Sequence, residues 1–178
     1  MATTRWDFDL AHSSISFHVR HLMVSKVHGR FATWSGNLEL DEEDLTRSKL
    51  DVTIDAASVE TREEKRDAHL RSADFLEVDR FPYITFASTE ITREGADTYR
   101  VRGVLAIHGV TRQVTLEVEG GRRVADPWGG TRTGFSARTS ISRKDFGLTW
   151  NMALEAGGFV VGDKIEITLE TEAIKKVA

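Results

Sequence analysis

Hydrophobic and polar residues alternate with period two along most of the chain. Ile15, Phe17 and Val19 alternate with Ser16, His18 and Arg20, and the same rhythm returns in Leu50/Val52/Ile54, Val114/Leu116/Val118 and Ile165/Ile167/Leu169. Successive side chains of a strand point to opposite faces, so each run predicts a strand with one buried and one wet face. Less regular strands fit 27–33, 36–40, 85–91, 99–107 and 133–142. Roughly eight or nine strands joined by short links predict an antiparallel meander that closes into a barrel or folds into a sandwich.

The connectors carry turn chemistry. His108-Gly109 predicts a tight hairpin, and Asp126-Pro127-Trp128-Gly129-Gly130 an open loop. Gly120-Gly121 is expected to end the strand at Glu119, and the glycine pairs at 120–121, 129–130 and 157–158 read as turns, not phosphate cradles. One segment departs from the strand rhythm. Thr61-Arg62-Glu63-Glu64 has the form of a capping box, with Thr61 capping and Glu64 reaching back. It predicts a helix over 63–71 and a further turn at 72–76, so one helical insertion at about 63–76 in an otherwise all-β chain.

Composition narrows the class. A length of 178 residues fits one domain, 1–178, able to bury a core without crosslinks. Val, Ile and Thr supply 42 residues, which favours strands. The absence of cysteine excludes disulfides, thiolate metal sites and thiol catalysis. A net charge of −4, from 24 basic and 28 acidic residues, argues against a nucleic-acid partner. No apolar run reaches the roughly 20 residues of a spanning helix, so no stable membrane insertion is expected. The N-terminus lacks the basic start and apolar run of a secretion signal, which makes the cytoplasm the expected location.

Candidate catalytic chemistry is thin. The histidines (12, 18, 21, 28, 69 and 108) form neither a His-x-His nor a His-Glu-x-x-His pattern, and hydrogen bonding at turns and barrel ends explains them more simply than a metal. Nucleophile sets can be assembled from Ser13, His12 and Asp9, or from Ser72, His69 and Asp67, but neither sits in a nucleophile elbow. The aromatic and aliphatic inventory says more. An eight-stranded barrel is only wide enough to fill with side chains or to hold one small ligand. The residues alone leave both outcomes open.

Longer motifs are recognisable. The run Asp9–Phe17 with Val19-Arg20-His21-Leu22-Met23 and Val27-His28-Gly29-Arg30-Phe31 resembles the opening of the YceI-like family. Arg66-Asp67-Ala68-His69-Leu70-Arg71-Ser72-Ala73-Asp74-Phe75 is similar to the family's helical signature, followed by Phe81-Pro82-Tyr83-Ile84-Thr85-Phe86. Gly103–Thr111 and Arg143-Lys144-Asp145-Phe146-Gly147-Leu148 complete the set, in the family's order, from residue 6 to about 173. Many members also carry a secretion signal.

The resemblance implies a lipocalin-like antiparallel barrel of about eight strands, whose elongated apolar cavity binds a long-chain isoprenoid-type lipid such as a polyprenyl phosphate or a quinone. Carriage, storage or sequestration is the implied role, with no catalytic cofactor, no activity and homodimers common. On that reading the tail is expected against Phe17, Val19, Phe31, Leu50, Ile54, Phe75, Phe86, Leu105, Leu116, Phe135, Phe146, Leu148 and Trp150. Parity along β-strands supports most of these, while the segment holding Phe146, Leu148 and Trp150 is irregular. A polar head needs donors at the mouth. His21 shares the parity of Phe17, and Arg66 and His69 lie three apart on the helix, so these three are the expected head-group residues; Arg66 paired with Glu63 is the plain alternative. Two rival functions stand beside this one: a small hydrolase or isomerase using His69 with Asp67, and a packed barrel serving only as an interaction module.

Overall fold

The computed structural model describes residues 3–152 and 160–177; the glycine pair at 157–158 lies outside the described residues. The strands are β1 (Thr4–Phe8), β2 (Ser14–His21), β3 (Ser25–Phe31), β4 (Trp34–Leu40), β5 (Lys49–Asp55), β6 (Val59–Glu60), β7 (Tyr83–Arg93), β8 (Thr98–Ile107), β9 (Val110–Ala125), β10 (Thr131–Ser142) and β11 (Lys164–Lys175). One helix, α1 (Glu64–Arg71), falls between β6 and β7. The sheet order is β1-β4-β5-β7-β8-β9-β10-β11-β2-β3-β6, and β1 also pairs with β11. That pairing closes β1, β4, β5 and β7 to β11 into an antiparallel barrel of eight strands.

The closure depends on β11 changing partners along its length. Its residues Glu166–Glu170 pair with β2, and Ala173–Lys175 pair with β1. The short 3-10 turn Leu10–His12 makes this exchange possible, because it lets two consecutive strands lie along one neighbour. Arg132 fastens the junction. Its Nη1 donates to Asp9 and Glu172, both at 2.8 Å, and its Nε to Asp126 at 3.0 Å. These carboxylates hold the guanidinium above its ordinary value, with Asp9 the largest influence.

Three expectations are corrected. Gly120-Gly121 does not end a strand: β9 runs on to Ala125, and the pairing of β9 with β10 shifts register between Thr133 and Phe135. Both glycines have positive φ (129° and 95°), so they form a bulge within the ladder instead of a turn at its end. The capping arrangement also differs. Glu63 is the N-cap and accepts from the Arg66 N–H, whereas the Thr61 hydroxyl and N–H both donate to Asp67 Oδ1, at 2.5 and 2.8 Å. Asp67 lies three residues beyond Glu64, the box position, and its carboxylate claims the threonine. Residues 72–76 form hydrogen-bonded turns and not helix.

Inward-facing positions build two contiguous apolar clusters. The larger includes Ile15, Val52, Ile84, Phe86, Leu105, Leu116 and Ile141, and the smaller packs Trp6, Leu38, Leu40 and Ala173 between β1, β4 and β11. Glycine makes room for two of the inward rings. A Cβ on Gly29 would collide with the Phe17 ring across the β2–β3 ladder, and one on Gly103 with the Phe86 ring. No helix among the described residues is long and apolar enough to cross a membrane.

Candidate functional site

The barrel interior is not filled. A cavity of about 170 Å³ lies under α1, and a second of about 80 Å³ continues toward the β1–β4 end. Leu50, Val52, Leu116 and Leu169 border both, so the two voids share one elongated lumen. Ten of the thirteen expected tail residues line the larger void: Phe17, Val19, Phe31, Leu50, Ile54, Phe75, Phe86, Leu105, Leu116 and Leu148. Phe135 lines the smaller one. Residues Leu70, Phe75 and Leu76, from α1 and the turns after it, form the roof of the larger void together with Leu148.

Phe146 and Trp150 are not in the wall. The chain leaves β10 through a 3-10 turn, Arg143–Phe146, which breaks the strand parity and drives Phe146 into the core with 1% exposure. Trp150 stacks outside the wall, with its ring 5.3 Å from Phe75 and 4.6 Å from His69.

The expected head-group residues do not converge on the lumen. Arg66 is spent on the loop before its own helix, donating through Nε and an Nη to the Thr61 hydroxyl and carbonyl, both at 2.7 Å. His21 forms a bridge to Val161 at the end of β2. His69 touches the wall from behind, edge-on to Phe75, with its Nε2 2.8 Å from Asp74. A two-residue spacing on a helix cannot bring His69 to Asp67, and Asp67 is already held by Thr61. In the other set, His12 lies 2.8 Å from Asp9, but the Ser13 hydroxyl is turned to the Glu172 backbone. Asp9, His12 and Glu172 approach one another as metal ligands do, and the Arg132 guanidinium already supplies the positive charge there.

Polar side chains at the larger void are Ser16, Thr139 and Arg143, and each is turned to backbone. Ser16 donates to Thr168 O at 3.3 Å and Thr139 to Thr115 O at 2.9 Å. Arg143, 1% exposed, donates to four carbonyls: Gly162 at 2.8 Å, Leu148 at 2.6 Å, Trp150 at 2.9 Å and Val161 at 3.3 Å. Burial pulls its guanidinium below the ordinary value, and the charge of Asp163 opposes that shift. Burial also works against the Asp163 carboxylate, yet bonds from Ser142 and the Lys144 N–H hold it below the usual range. Arg143 thus ties Leu148 and Trp150 to Val161 and Gly162 beside the roof of the lumen. Sequence reading missed it, although 135, 137, 139, 141 and 143 share one parity and Arg143 continues the inward stripe. Ile165, Ile167 and Leu169, visible as an alternating stripe, also belong to the wall.

No carboxylate or imidazole lines either void among the described residues. The lumen therefore offers mainly hydrocarbon contact, with Ser48, Lys49 and Thr171 at the smaller void. A cavity this apolar stays dry and accepts apolar guests.

Known proteins share both the sequence and the shape. Protein YceI of Salmonella newport (strain SL254) is 37% identical over 165 residues, covering 93% of this chain and 83% of that protein. The crystal structure of the Campylobacter jejuni YceI protein superposes with a TM-score of 0.75 at 31% identity, over 89% of this chain and 90% of that one. A polyisoprenoid-binding domain from Saccharophagus degradans has the same fold, with a TM-score of 0.70 at 16% identity over 96% and 98% of the two chains. A family model for the YceI-like domain matches residues 6–173, and the chain belongs to the YceI-like family.

Proposed function

We propose that the protein binds a long-chain isoprenoid-type lipid, such as a polyprenyl phosphate or a quinone, without catalysing a reaction on it. The observation that carries this reading is the elongated lumen with its hydrocarbon wall. Burial of apolar surface stabilises by about 25 cal/mol per Å², so a prenyl tail gains affinity along the lumen without specific contacts. The polyisoprenoid-binding domain that shares the fold points to the same ligand class. Such a wall discriminates weakly, because one methylene changes binding by about 1 kcal/mol. Carriage, storage and sequestration all follow from the same site.

Organic extraction and native mass spectrometry of the protein purified from its own host test the proposal. A co-purifying prenyl lipid is expected, and the apo protein should take up a prenyl alcohol in vitro. Phe86→Asp, which puts a charge in the wall, should abolish uptake in a folded variant. Consistent emptiness together with no uptake would overturn the reading.

A further inference from the structure

The β2–β3 hairpin has a charge pattern unlike the rest of the chain. From Leu10 to Leu38 there is no acidic residue, although the protein contains 28 of them. On the hairpin Arg20 stands opposite Lys26, and His18 opposite His28, with the two imidazole centroids 5.4 Å apart. Like charges directly opposite on a ladder repel. Arg30 is neutralised by Glu60 at 3.0 Å, but neither Arg20 nor Lys26 has a carboxylate within ion-pair distance among the described residues. The nearest acid in register, Glu166 opposite His18, pairs with Lys164 at 3.0 Å.

The hairpin also extends past its neighbours. β11 pairs only with Ser14–His18 of β2, and β6 meets β3 only at Arg30 and Phe31. Beyond that point the hairpin is held by its own ladder and by Val160–Gly162, through Leu22 N–H to Val160 O at 2.7 Å and Gly162 N–H to Arg20 O at 2.9 Å. At the tip Leu22, Met23 and Val24 are 40%, 62% and 80% exposed. Leu22 and Met23 have φ of 53° and 61°, a region that aliphatic side chains rarely occupy. Met152, 58% exposed, is joined to the same rim by the bond from Val160 N–H to its carbonyl.

We propose that the β2–β3 hairpin docks the protein on an anionic lipid bilayer. Leu22, Met23 and Val24 enter the interface, while Arg20 and Lys26 stay at the level of the headgroups. The chemical layers of the hairpin match those of a membrane surface: an aliphatic tip, then one cation on each strand two residues behind it. An anionic surface supplies the counter-charge that Arg20 and Lys26 lack among the described residues. The docking is peripheral and reversible, and it does not depend on what the lumen holds. Its position does place the lumen beside the bilayer, because Phe17, Val19 and Phe31 of the same hairpin belong to the wall.

Flotation of the full chain with vesicles tests this. Binding is expected to vesicles of phosphatidylcholine mixed with phosphatidylglycerol, and to weaken sharply on phosphatidylcholine alone or with added salt. The triple change Leu22→Ser, Met23→Ser, Val24→Ser should weaken binding by more than about ten-fold. The pair Arg20→Glu and Lys26→Glu should weaken it by more than about 25-fold, since each cation near such a surface adds roughly five-fold. These side chains are exposed, so circular dichroism and melting should match the parent. A parent chain that does not float, or either variant floating as well as the parent, would overturn the proposal. So would a self-association that the tip variant abolishes without any vesicle binding by the parent, because the tip would then serve a second copy of the chain.

Discussion

Two hairpin tips at the same end of the barrel use the same strained backbone to different ends. The β8–β9 turn places His108 and Gly109 at φ of 56° and 73°, and the β2–β3 turn places Leu22 and Met23 at 53° and 61°. The first is enclosed. Its ladder continues into the turn through Ile107 and Val110, His108 packs against Phe81 at 4.8 Å, and its Nδ1 lies 3.3 Å from the Phe146 carbonyl. The second is more open, with Met23 and Val24 mostly exposed and Leu22 partly so. Strained backbone persists where its surroundings over-determine it. At His108 the surroundings are the protein's own core. At the open tip the Leu22 N–H donates to Val160 O and the Arg20 carbonyl accepts from Gly162 N–H, while the tip side chains stay largely exposed.

The largest expected effect comes from removing the brace beneath the open tip. Arg143→Leu takes away the donors of four carbonyls at the base of the segment that holds Leu22 and Arg20. Buried acceptors left unpaired make this cost about 4 kcal/mol. Urea denaturation should register the loss, with a fall of roughly 10 °C in melting temperature. A variant as stable as the parent would show that Arg143 acts as a lumen group instead of a brace.

The two tips themselves should answer oppositely to substitution. A Cβ at Gly109 would lie 2.6 Å from the Phe81 ring at a φ that suits glycine, so Gly109→Val should destabilise by about 3 kcal/mol. Met23→Gly relieves a left-handed residue whose side chain is mostly exposed, and should stabilise by about 0.5 kcal/mol while weakening vesicle binding. Thermal melts of both variants check the pair. If Met23→Gly destabilises instead, the open tip is held by side-chain packing and the contrast between the tips fails.

These differences bear on what the sequence could reveal. Period-two alternation exposes the strands, because a half-buried strand must alternate, and it marks Phe17, Leu50, Phe86 and Leu105 as inward residues of the lumen. It fails where the backbone leaves the pleat. Phe146 and Trp150 follow a 3-10 turn, so parity along the chain no longer assigns a face to them. Gly120-Gly121 reads as a turn because glycine pairs usually mark one, yet the partner strand absorbs them as a bulge. Arg66 shows a different limit. Helical spacing places it correctly beside His69, but a guanidinium bonds to the nearest free acceptors, and here these are on Thr61. The composition of 10–38 was fully visible as a run without acids. Its meaning depends on register, which sets Arg20 against Lys26.

The smallest effect separates the open hairpin from the closed junction by pH. Burial, then the charges of Lys26 and His28, hold the His18 imidazole below its ordinary value of 6.5. Its contribution to stability is therefore complete above pH 6.5 and is lost as the pH falls through the lowered folded value. His12 has the opposite sign. Its hydrogen bond to Asp9, and then the charge of that carboxylate, raise its pKa above 6.5, so its contribution is complete below 6.5 and is lost as the pH rises through the raised value. Melting temperatures measured between about pH 5 and pH 8 should show both limbs. His18→Gln should flatten the acid limb and leave the alkaline one, and His12→Gln should do the reverse. His12 is well exposed beside Asp9, so salt should shrink its limb more than that of His18. An acid limb that persists unchanged in His18→Gln would place the repulsion elsewhere than on the hairpin.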